Sequence, residues 1–367
     1  MFIEQRLKYD LTMFLAISLT FVMLGVIFVY SSSSFFALET LNQPLYFVKK
    51  QMFGILVGTG AFFFARMISL QFLKSVSFFA LLGATIATAL PLLNALSHKM
   101  NGSHRWLNLK GFIFQPSELL KVALVIYLAS LLSRKKIMDH NTFKTAAPLS
   151  IILAVVGLIL LKQPDFGCLA TLFATTLIML FIANLPIRYF IGTIALAAPA
   201  AFFMIYLQPY RWQRILTYLD PWQDPQGSGF QIIQSLIAIG SGGLCGTGIA
   251  QSQQKFFYLP MQHTDFIFAI MAEEIGFIGS LFFIILCMAF VWFGFRISWN
   301  LKDSFAAYLV QGITAIISLQ FIINLFVSTG LAPTKGIGLP FISYGNTALV
   351  CNLFMIGLVA NATKDNA

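Results

Sequence analysis

The sequence predicts an all-α polytopic membrane protein, because its composition and the lengths of its apolar runs both indicate one. Of 367 residues, 58% are hydrophobic and 10% are charged, and the mean hydropathy is +0.83. Soluble domains usually carry about 25% charged residues. Apolar runs of roughly 17–25 residues, the length that a helix needs to cross a bilayer, recur along the whole chain. These observations exclude a soluble fold.

The apolar runs predict ten transmembrane helices. They lie near residues 12–33, 47–66, 72–94, 116–133, 147–163, 165–184, 188–207, 266–292, 305–328 and 340–360. Only Lys162-Gln163-Pro164-Asp165 separates the fifth run from the sixth, which predicts a tight turn. The first run is too long for a signal-peptide core, so we interpret it as a retained anchor. Residues 1–367 are therefore predicted to form a single membrane domain.

Basic residues predict the orientation. Four of them crowd the connection after the fourth run: Arg134, Lys135, Lys136 and Lys144. The positive-inside rule assigns this connection to the cytoplasm. Both termini are then cytoplasmic, and two long loops face outward, residues 95–115 and, between helices 7 and 8, residues 208–265. Within the larger loop, the apolar stretch 230–239 is too short to span and is expected to lie at the interface or re-enter partway.

The outward segments keep an unexpected set of cations. They are Lys99, Arg105, Lys110, Arg211, Arg214, Lys255 and Lys335. One interpretation is that the outward face binds an anion. The other is that long loops are translocated regardless of their charge. Charge alone favours neither interpretation.

The cysteines and histidines predict neither a disulfide framework nor a metal site. Cys168, Cys245, Cys287 and Cys351 show no CxxC spacing, and three of them lie in apolar runs. We interpret them as small core residues. Four scattered histidines are also too few for a histidine-based metal cluster.

The stretch from Tyr258 to Gly279 is the main candidate for chemistry, because Asp265 lies where a polar connection meets an apolar run. On a continuous helix, four small residues fall within about 40° of Asp265. They are Ala269, Ala272, Gly276 and Gly279. This stripe either lines a groove for a lipid tail or admits a neighbouring helix. A simpler interpretation is that Thr264 or Asp265 caps the helix.

A carboxylate dyad on this helix is excluded by geometry. Glu274 lies about 180° around a straight helix from Asp265, and Glu273 lies roughly 12 Å deeper. Neither side chain can share a proton with Asp265. If Asp265 is functional, it acts without a carboxylate partner from its own helix.

Two further segments bring polar groups to the ends of spans. Glu118 and Lys121 are i,i+3 neighbours at the start of the fourth span, either as a functional pair or as a self-satisfied ion pair. Arg105 and Trp106 precede them and offer a forked cation beside an aromatic face. In the last outward loop, Lys335 lies among turn residues, which favours anion contact over a merely rigid connector. Ser343, Tyr344 and Asn346 follow it.

Taken in order, the motifs resemble a known family. They are NGSHRWLNL with QPSELLK, then QPDFG, PYRWQRI, DPWQDPQGSGFQIIQSLIAIGSGG, YLPMQHTDFIFAIMAEEIG and PTKGIGLPFISYGN. This series resembles the SEDS proteins, the RodA, FtsW and SpoVE group of bacterial membrane enzymes. The resemblance covers nearly the whole chain, and the PTKG segment is more similar to the division-type pattern than to the elongation-type one.

The resemblance implies a ten-span SEDS-type fold and an activity. The activity is that of a peptidoglycan glycosyltransferase, which polymerises lipid II by inverting transfer at the outer face of the bacterial cytoplasmic (inner) membrane, in septal wall synthesis. The implied partners are a class B penicillin-binding protein transpeptidase and other divisome proteins.

The resemblance also implies site residues. The family's essential acidic residue corresponds to Asp265, which is thus the catalytic candidate. The family's functional residues correspond to Arg105, Glu118, Lys121 and Lys335. The substrate-binding candidates near them are Trp106, Arg211, Arg214, His263, Thr264 and Ser343. Two departures stand out: Met261 and Gln262 follow Leu-Pro in place of an acidic or polar residue and Ala, and Asn346 replaces a glycine.

The implied reaction needs a base and cations. The 4-hydroxyl of one lipid-linked disaccharide attacks the anomeric carbon of another, and undecaprenyl pyrophosphate leaves. Asp265 is the candidate base, with burial raising its pKa and the helix N-terminus lowering it. The leaving pyrophosphate needs cations, supplied either by side chains or by a divalent ion, Mg²⁺ or Mn²⁺. The side-chain candidates are Arg105, Lys121, Arg211, Arg214 and Lys335.

Two other functions remain open at this point. A flippase for the lipid-linked precursor would place ionisable groups near the midplane, between broken helices. Glu273 and Glu274 are the deepest acidic residues, whereas most charge lies at the outer edge, which favours chemistry over transport. The other alternative is a scaffold that only recruits a penicillin-binding protein, and it requires that polymer formation survive the loss of Asp265.

Overall fold

Helices dominate the computed structural model. The structure describes residues 2–93, 97–100, 103–109, 112–134, 143–187, 190–192, 194–195, 206–256, 259–260 and 262–364. The helices are α1 Phe2–Leu41, α2 Tyr46–Met67, α3 Leu70–Ala89, α4 Pro116–Leu132, α5 Phe143–Lys162, α6 Phe166–Ile182, α7 Pro209–Leu219, α8 Phe230–Ser241, α9 Ile267–Trp299, α10 Ser304–Ser328 and α11 Asn346–Lys364. Short 3₁₀ helices cover Leu90–Leu92 and Pro221–Gln223.

Five helical segments are long and apolar enough to cross a membrane. They are Glu4–Leu41, Leu70–Leu92, Ile267–Trp299, Ser304–Ser328 and Asn346–Lys364. The protein is therefore a multi-pass membrane protein. The predicted seventh span, near residues 188–207, lies largely outside the described residues, so the total of ten stays a prediction.

A small sheet is the main departure from the all-α prediction. Its strands are β1 Ser97–Met100, β2 Ser103–Leu109 and β3 Phe112–Phe114, antiparallel in the order β1-β2-β3. They occupy the first of the two long loops. Strands this short leave only a few alternating residues in the sequence, which is a much weaker signal than a span of twenty apolar residues.

α2 and α11 pack at close range because glycines lie where the two helices touch. A Cβ added at Gly58 would stand 2.5 Å from Leu353 Cδ1, and one at Gly357 would stand 2.4 Å from the Phe62 carbonyl oxygen. Small residues allow helix backbones to approach closely within a membrane. This packing fixes the start of α11, which directly follows the segment that carries Lys335.

α1 packs on α9 through phenylalanine rings. Phe14 stacks on Phe290 with ring centroids 4.5 Å apart, and Phe21 meets Phe283 at 5.7 Å and Phe341 at 6.3 Å. Aromatic pairs are favourable at separations of about 4.5–7 Å. Phe341 belongs to the segment between α10 and α11, so the same rings hold that segment against the bundle.

α9 is broken at Gly276, whose φ of 67° is left-handed. The backbone groups freed by the break bond to the loop that follows α8. Phe277 N donates to Gly243 O at 2.9 Å, and Thr247 N donates to Glu273 O at 3.0 Å. The loop therefore provides hydrogen-bond partners for the backbone at the break, as a neighbouring strand does in a sheet.

The small residues of α9 face protein and not lipid. Ala269 and Ala272 are 0% and 2% exposed, and a Cβ on Gly242 would stand 2.3 Å from Ala272 O. The lipid-tail groove predicted along this stripe is therefore wrong, and the alternative of a neighbouring helix is confirmed. That helix is α8, the short apolar stretch, whose Ala238 is buried in the same hydrophobic cluster as Ala269.

All four cysteines are free. Cys168, Cys287 and Cys351 are buried, which confirms them as core residues, whereas Cys245 is exposed.

Candidate active site

Asp265 lies in the turn that precedes α9 and does not cap the helix. The residue at the cap position is Phe266, which makes no side-chain capping hydrogen bond. The capping interpretation is therefore wrong for Asp265. The reason is local: residues 262–266 form turns, so the helix begins later than the apolar pattern predicts.

The turn is fixed from two sides. Asn324 of α10 donates through Nδ2 to Asp265 O and to Ile337 O, both at 2.8 Å. Tyr344 N donates to His263 O at 3.0 Å. The backbone around the carboxylate is thus tied to the segment between α10 and α11, and this holds the side chain of Asp265 at one place.

Arginine and carboxylate converge at Gly336. A Cβ added at Gly336 would lie 3.5 Å from Asp265 Oδ2 and 3.9 Å from Arg105 Nη1. Arg105 comes from β2 and Asp265 from the turn before α9, so residues about 160 positions apart in the sequence line one space. The sequence alone could not place them together.

Burial dominates the acidity of Asp265 and raises its pKa to about 6. Arg105 and Arg214 oppose this shift, and the negative charge of Asp165 adds to it. The prediction left burial and the helix N-terminus in competition, and burial prevails. A carboxylate with this pKa is mostly ionised at neutral pH and holds a proton better than an ordinary aspartate does, as a general base requires.

Arg105 is anchored to the turn between α5 and α6. Its Nε donates to Gln163 O at 3.1 Å, its Nη2 donates to Pro164 O, and its Nη1 lies 3.7 Å from Asp165 Oδ1. The predicted tight turn is confirmed at this place. Asp165 also caps α6 by accepting from Cys168 N at 3.2 Å.

Sequence reasoning missed Asp165 as a site residue. The available signals were the QPDFG motif and an acidic residue at the start of a span, where charge is costly unless it is used.

Arg214 and Lys335 lie together beside this site. Arg214 Nη1 donates to Thr334 O at 2.7 Å. Burial and the nearby Arg214 charge lower the pKa of Lys335. Arg211 lies three residues earlier, near the start of α7, with its guanidinium 4.1 Å from the centre of the Phe166 ring, and burial lowers its pKa.

Glu118 and Lys121 form a buried ion pair. Lys121 Nζ lies 2.7 Å from Glu118 Oε2 and 3.1 Å from Gln320 Oε1. The predicted i,i+3 pairing is therefore present, and the lysine is committed to partners inside the bundle. A role for either residue in substrate binding stays a prediction.

The remaining predicted residues lie around the carboxylate without sharing one cluster. Trp106 follows Arg105 on β2, where consecutive residues point to opposite faces of the strand, and its place in substrate binding stays a prediction. Ser343 Oγ donates to Thr264 O and accepts from Leu339 N at 2.7 Å, which makes it a backbone tie.

His263 is enclosed by aromatic rings. Phe47, Phe36 and Tyr344 lie with ring centroids 4.5, 5.7 and 6.0 Å from the imidazole. Burial lowers the pKa of His263 to about 4, so the ring is neutral at pH 7.

The sequence departures have modest structural consequences. Asn346 is the first residue of α11 and is not among the residues with positive φ, so it replaces a glycine without strain. Gln262 is 3% exposed, and Met261 lies outside the described residues.

The predicted divalent ion at the pyrophosphate stays a prediction, because Mg²⁺ often binds through only one or two carboxylates together with substrate phosphates. Among the described residues, no three His, Cys, Asp or Glu side chains converge. The two carboxylates near the site are Asp265 and Asp165, and Arg105 Nη1 lies 3.7 Å from Asp165 Oδ1.

Fold and site together define a class: a multi-pass membrane protein with a proton-binding carboxylate and several cations gathered where its helices meet its long loops. The chain belongs to the FtsW/RodA/SpoVE family, since the sequence model of that family, described as "cell cycle protein", matches residues 11–367. The resemblance stated from the motifs is confirmed.

Relatives match over nearly the whole length. The chain is 40% identical over 357 residues to the probable peptidoglycan glycosyltransferase FtsW of Geobacter sulfurreducens, covering 96% of this chain and 95% of that one. It is 37% identical over 350 residues to the stage V sporulation protein E of Bacillus subtilis, covering 95% of both.

Solved structures support the fold. A chain from a structure described as "structural coordination of polymerization and crosslinking by a peptidoglycan synthase complex" matches with a TM-score of 0.77 at 29% identity, covering 96% of this chain and 97% of that one. The rod shape determining protein RodA of Thermus thermophilus matches with a TM-score of 0.70 at 23% identity, covering 96% of both. At that identity RodA supports the fold alone.

Proposed function

We propose that this chain is a peptidoglycan glycosyltransferase that polymerises lipid II by inverting transfer. The observation that carries the proposal is the convergence of Asp265, with its raised pKa, and Arg105 on the space at Gly336. The relatives named as probable peptidoglycan glycosyltransferases support the same activity, and we extend the proposal to septal wall synthesis because the family is described as "cell cycle protein".

Asp265 acts as the base. The 4-hydroxyl of the acceptor disaccharide gives its proton to the Asp265 carboxylate as its oxygen bonds to the anomeric carbon of the donor. A positioned base contributes about 10²–10⁴-fold to such a step. Attack from the face opposite the leaving group inverts the anomeric centre.

Side-chain cations stabilise the leaving pyrophosphate. The bond between the anomeric carbon and the pyrophosphate oxygen breaks with its electron pair on oxygen, which concentrates negative charge. Arg105 and Arg214 are already positioned by hydrogen bonds to backbone carbonyls, and Lys335 lies near enough to Arg214 for the two charges to interact. Cations fixed in advance cost little reorganisation during the reaction. We assign the charge neutralisation to these side chains.

The site is proposed to face outward, with both termini in the cytoplasm. Arg134 and the basic residues that follow it support this orientation through the positive-inside rule. A class B penicillin-binding protein is the proposed partner. A matching fold from a synthase complex that combines polymerization with crosslinking supports that partnership.

The flippase alternative receives one supporting feature, since α9 is broken next to two buried carboxylates. Three of their four oxygens nevertheless accept from local donors, whereas Glu274 Oε2 has no partner among the described residues. Gln253 N donates to Glu273 Oε1 at 2.8 Å, and Ser31 Oγ donates to Glu274 Oε1. Together with the loop that seals the break, these contacts favour a structural role over a transport path.

The experiment is to reconstitute the full chain with the penicillin-binding protein in liposomes that contain lipid II. Glycan polymer is measured on gels, and translocation is measured with a lipid II probe accessible from one side. We expect polymer from the wild type without accelerated translocation. Translocation without polymer would replace the proposal by the flippase. Polymer that persists after Asp265→Ala would favour the scaffold.

A further inference from the structure

Arg105 and Asp265 line one space without forming an ion pair. The ion pair that Arg105 makes within 4.0 Å is with Asp165, and none is made with Asp265. A direct Arg105–Asp265 pair would lower the proton affinity of the carboxylate and cover the oxygen that a hydroxyl must approach. Something in the structure must therefore hold the guanidinium away.

The turn between α5 and α6 supplies that restraint. All three guanidinium nitrogens of Arg105 contact this turn. Nε donates to Gln163 O, Nη2 donates to Pro164 O, and Nη1 lies 3.7 Å from Asp165 Oδ1. The two carbonyl contacts are neutral, so Asp165 provides the charge that competes with Asp265.

The turn itself is held rigidly. Gln163 Nε2 donates to Thr88 O at the end of α3, and Asp165 is 4% exposed and caps α6. A carboxylate with these contacts cannot follow the arginine if the guanidinium moves. The Asp165 charge therefore has a fixed position relative to the site.

We propose that Asp165 is a positioning residue that diverts Arg105 from Asp265 and so keeps the base free for the acceptor hydroxyl. This inference deepens the proposed function and rests on it for its catalytic meaning. The charges that face Asp265 are Arg105 from β2, Arg214 from α7 and Asp165 from the turn before α6. Lys335 lies next to Arg214, and the neutral His263 precedes Asp265 on the same turn.

The test is a pH titration of the Asp265 carboxyl in the full chain. Its infrared C=O band is assigned by its loss in Asp265→Asn, and the measurement needs no substrate. Asp165→Asn removes the negative charge of Asp165 and allows Arg105 to approach Asp265. Both effects lower the pKa of Asp265. We expect the titration, and the acid limb of kcat/KM for lipid II polymerisation, to move to lower pH by about one unit.

Two further variants make the test specific. Asparagine is itself a good helix cap, so Asp165→Asn keeps the start of α6. Asp303→Asn makes the same change at the cap of α10, where Asp303 accepts from Ala306 N at 3.0 Å, and should leave the titration unchanged. Asp165→Glu keeps the charge and should return the titration toward the wild-type pH.

An unchanged Asp265 titration in Asp165→Asn would overturn the inference. So would an equal shift in Asp303→Asn, because the effect would then be one of general stability. Because the infrared titration does not depend on turnover, it decides the inference even if the wild type makes no polymer. The absence of polymer from the wild type would count against the proposed function and not against this inference.

Discussion

At the scale of single residues, the proposed activity depends on the protonation state of Asp265. Burial raises the pKa of its carboxyl group to about 6, although the charges of Arg105 and Arg214 oppose this shift. A base must be ionised to accept a proton, so activity should be present above this pKa and lost as the pH falls through it.

The first prediction concerns this pH dependence. The kcat/KM of the wild type for lipid II polymerisation should fall on the acid side with a single ionisation near pH 6. His263 does not contribute to this limb because its pKa of about 4 leaves it neutral there. Initial rates across a pH series would check this. An acid limb near pH 4, the range of an ordinary aspartate, would contradict the burial of the carboxylate.

The second prediction concerns the space at Gly336. A Cβ there meets Asp265 Oδ2 at 3.5 Å and Arg105 Nη1 at 3.9 Å, which is ordinary contact, so Gly336→Ala should fold. Gly336→Val would fill the space that the acceptor hydroxyl needs, and we expect its polymerisation rate to fall by at least about tenfold, the effect of about 1.4 kcal/mol on the barrier.

The matched control is Gly60→Ala, since no atom lies within 4 Å of a Cβ at Gly60. It should polymerise like the wild type. If Gly336→Val also polymerised normally, the space at Gly336 would not be where the hydroxyl binds.

At the scale of elements, the break in α9 is the feature that places the site. The short segment from Ile267 to Gly276 carries the turn of Asp265 at one end and is sealed by the loop after α8 at the other. Hydropathy could not reveal the break, because the average over the run stays apolar despite Glu273 and Glu274. The small sheet was missed for the opposite reason, since its strands are too short to stand out.

The third prediction tests that break. Gly276 has a φ of 67°, and a Cβ there would stand 2.2 Å from Gly246 N. A left-handed non-glycine residue costs about 1–3 kcal/mol even without a clash. Gly276→Ala should therefore lower the Tm of the purified protein and disturb the Asp265 turn.

Gly83→Ala is the control for this change, because a Cβ at Gly83 in α3 meets nothing within 4 Å. Its Tm should match or exceed that of the wild type, since alanine favours a helix over glycine. An equal Tm for Gly276→Ala would show that the break is not needed for the fold.

At the scale of the whole molecule, composition and run length predicted the class of protein, because a bilayer imposes both on every spanning helix. The motifs predicted the family and the catalytic candidate. Two features had to come from the structure: the approach of Arg105 to Asp265, and the contact of Arg105 with Asp165. Both depend on contacts between distant parts of the chain. The ion pair of Glu118 with Lys121 was predictable because its spacing lies on one helix.

The lipid-tail groove shows where a periodic pattern misleads. Ala269 and Ala272 have the spacing of an open stripe, yet α8 and its loop cover them. Small residues indicate close approach, but the sequence does not say whether a helix or a lipid approaches.

The measurement that tests the central claim most directly is the rate of lipid II polymerisation by Asp265→Asn relative to wild type. Both proteins are purified in complex with the penicillin-binding protein, and folding is matched by Tm. Asparagine keeps the shape of the side chain but cannot take a proton, so we predict a loss of at least about 100-fold. A rate within a few-fold of the wild type would contradict the assignment of Asp265 as the base.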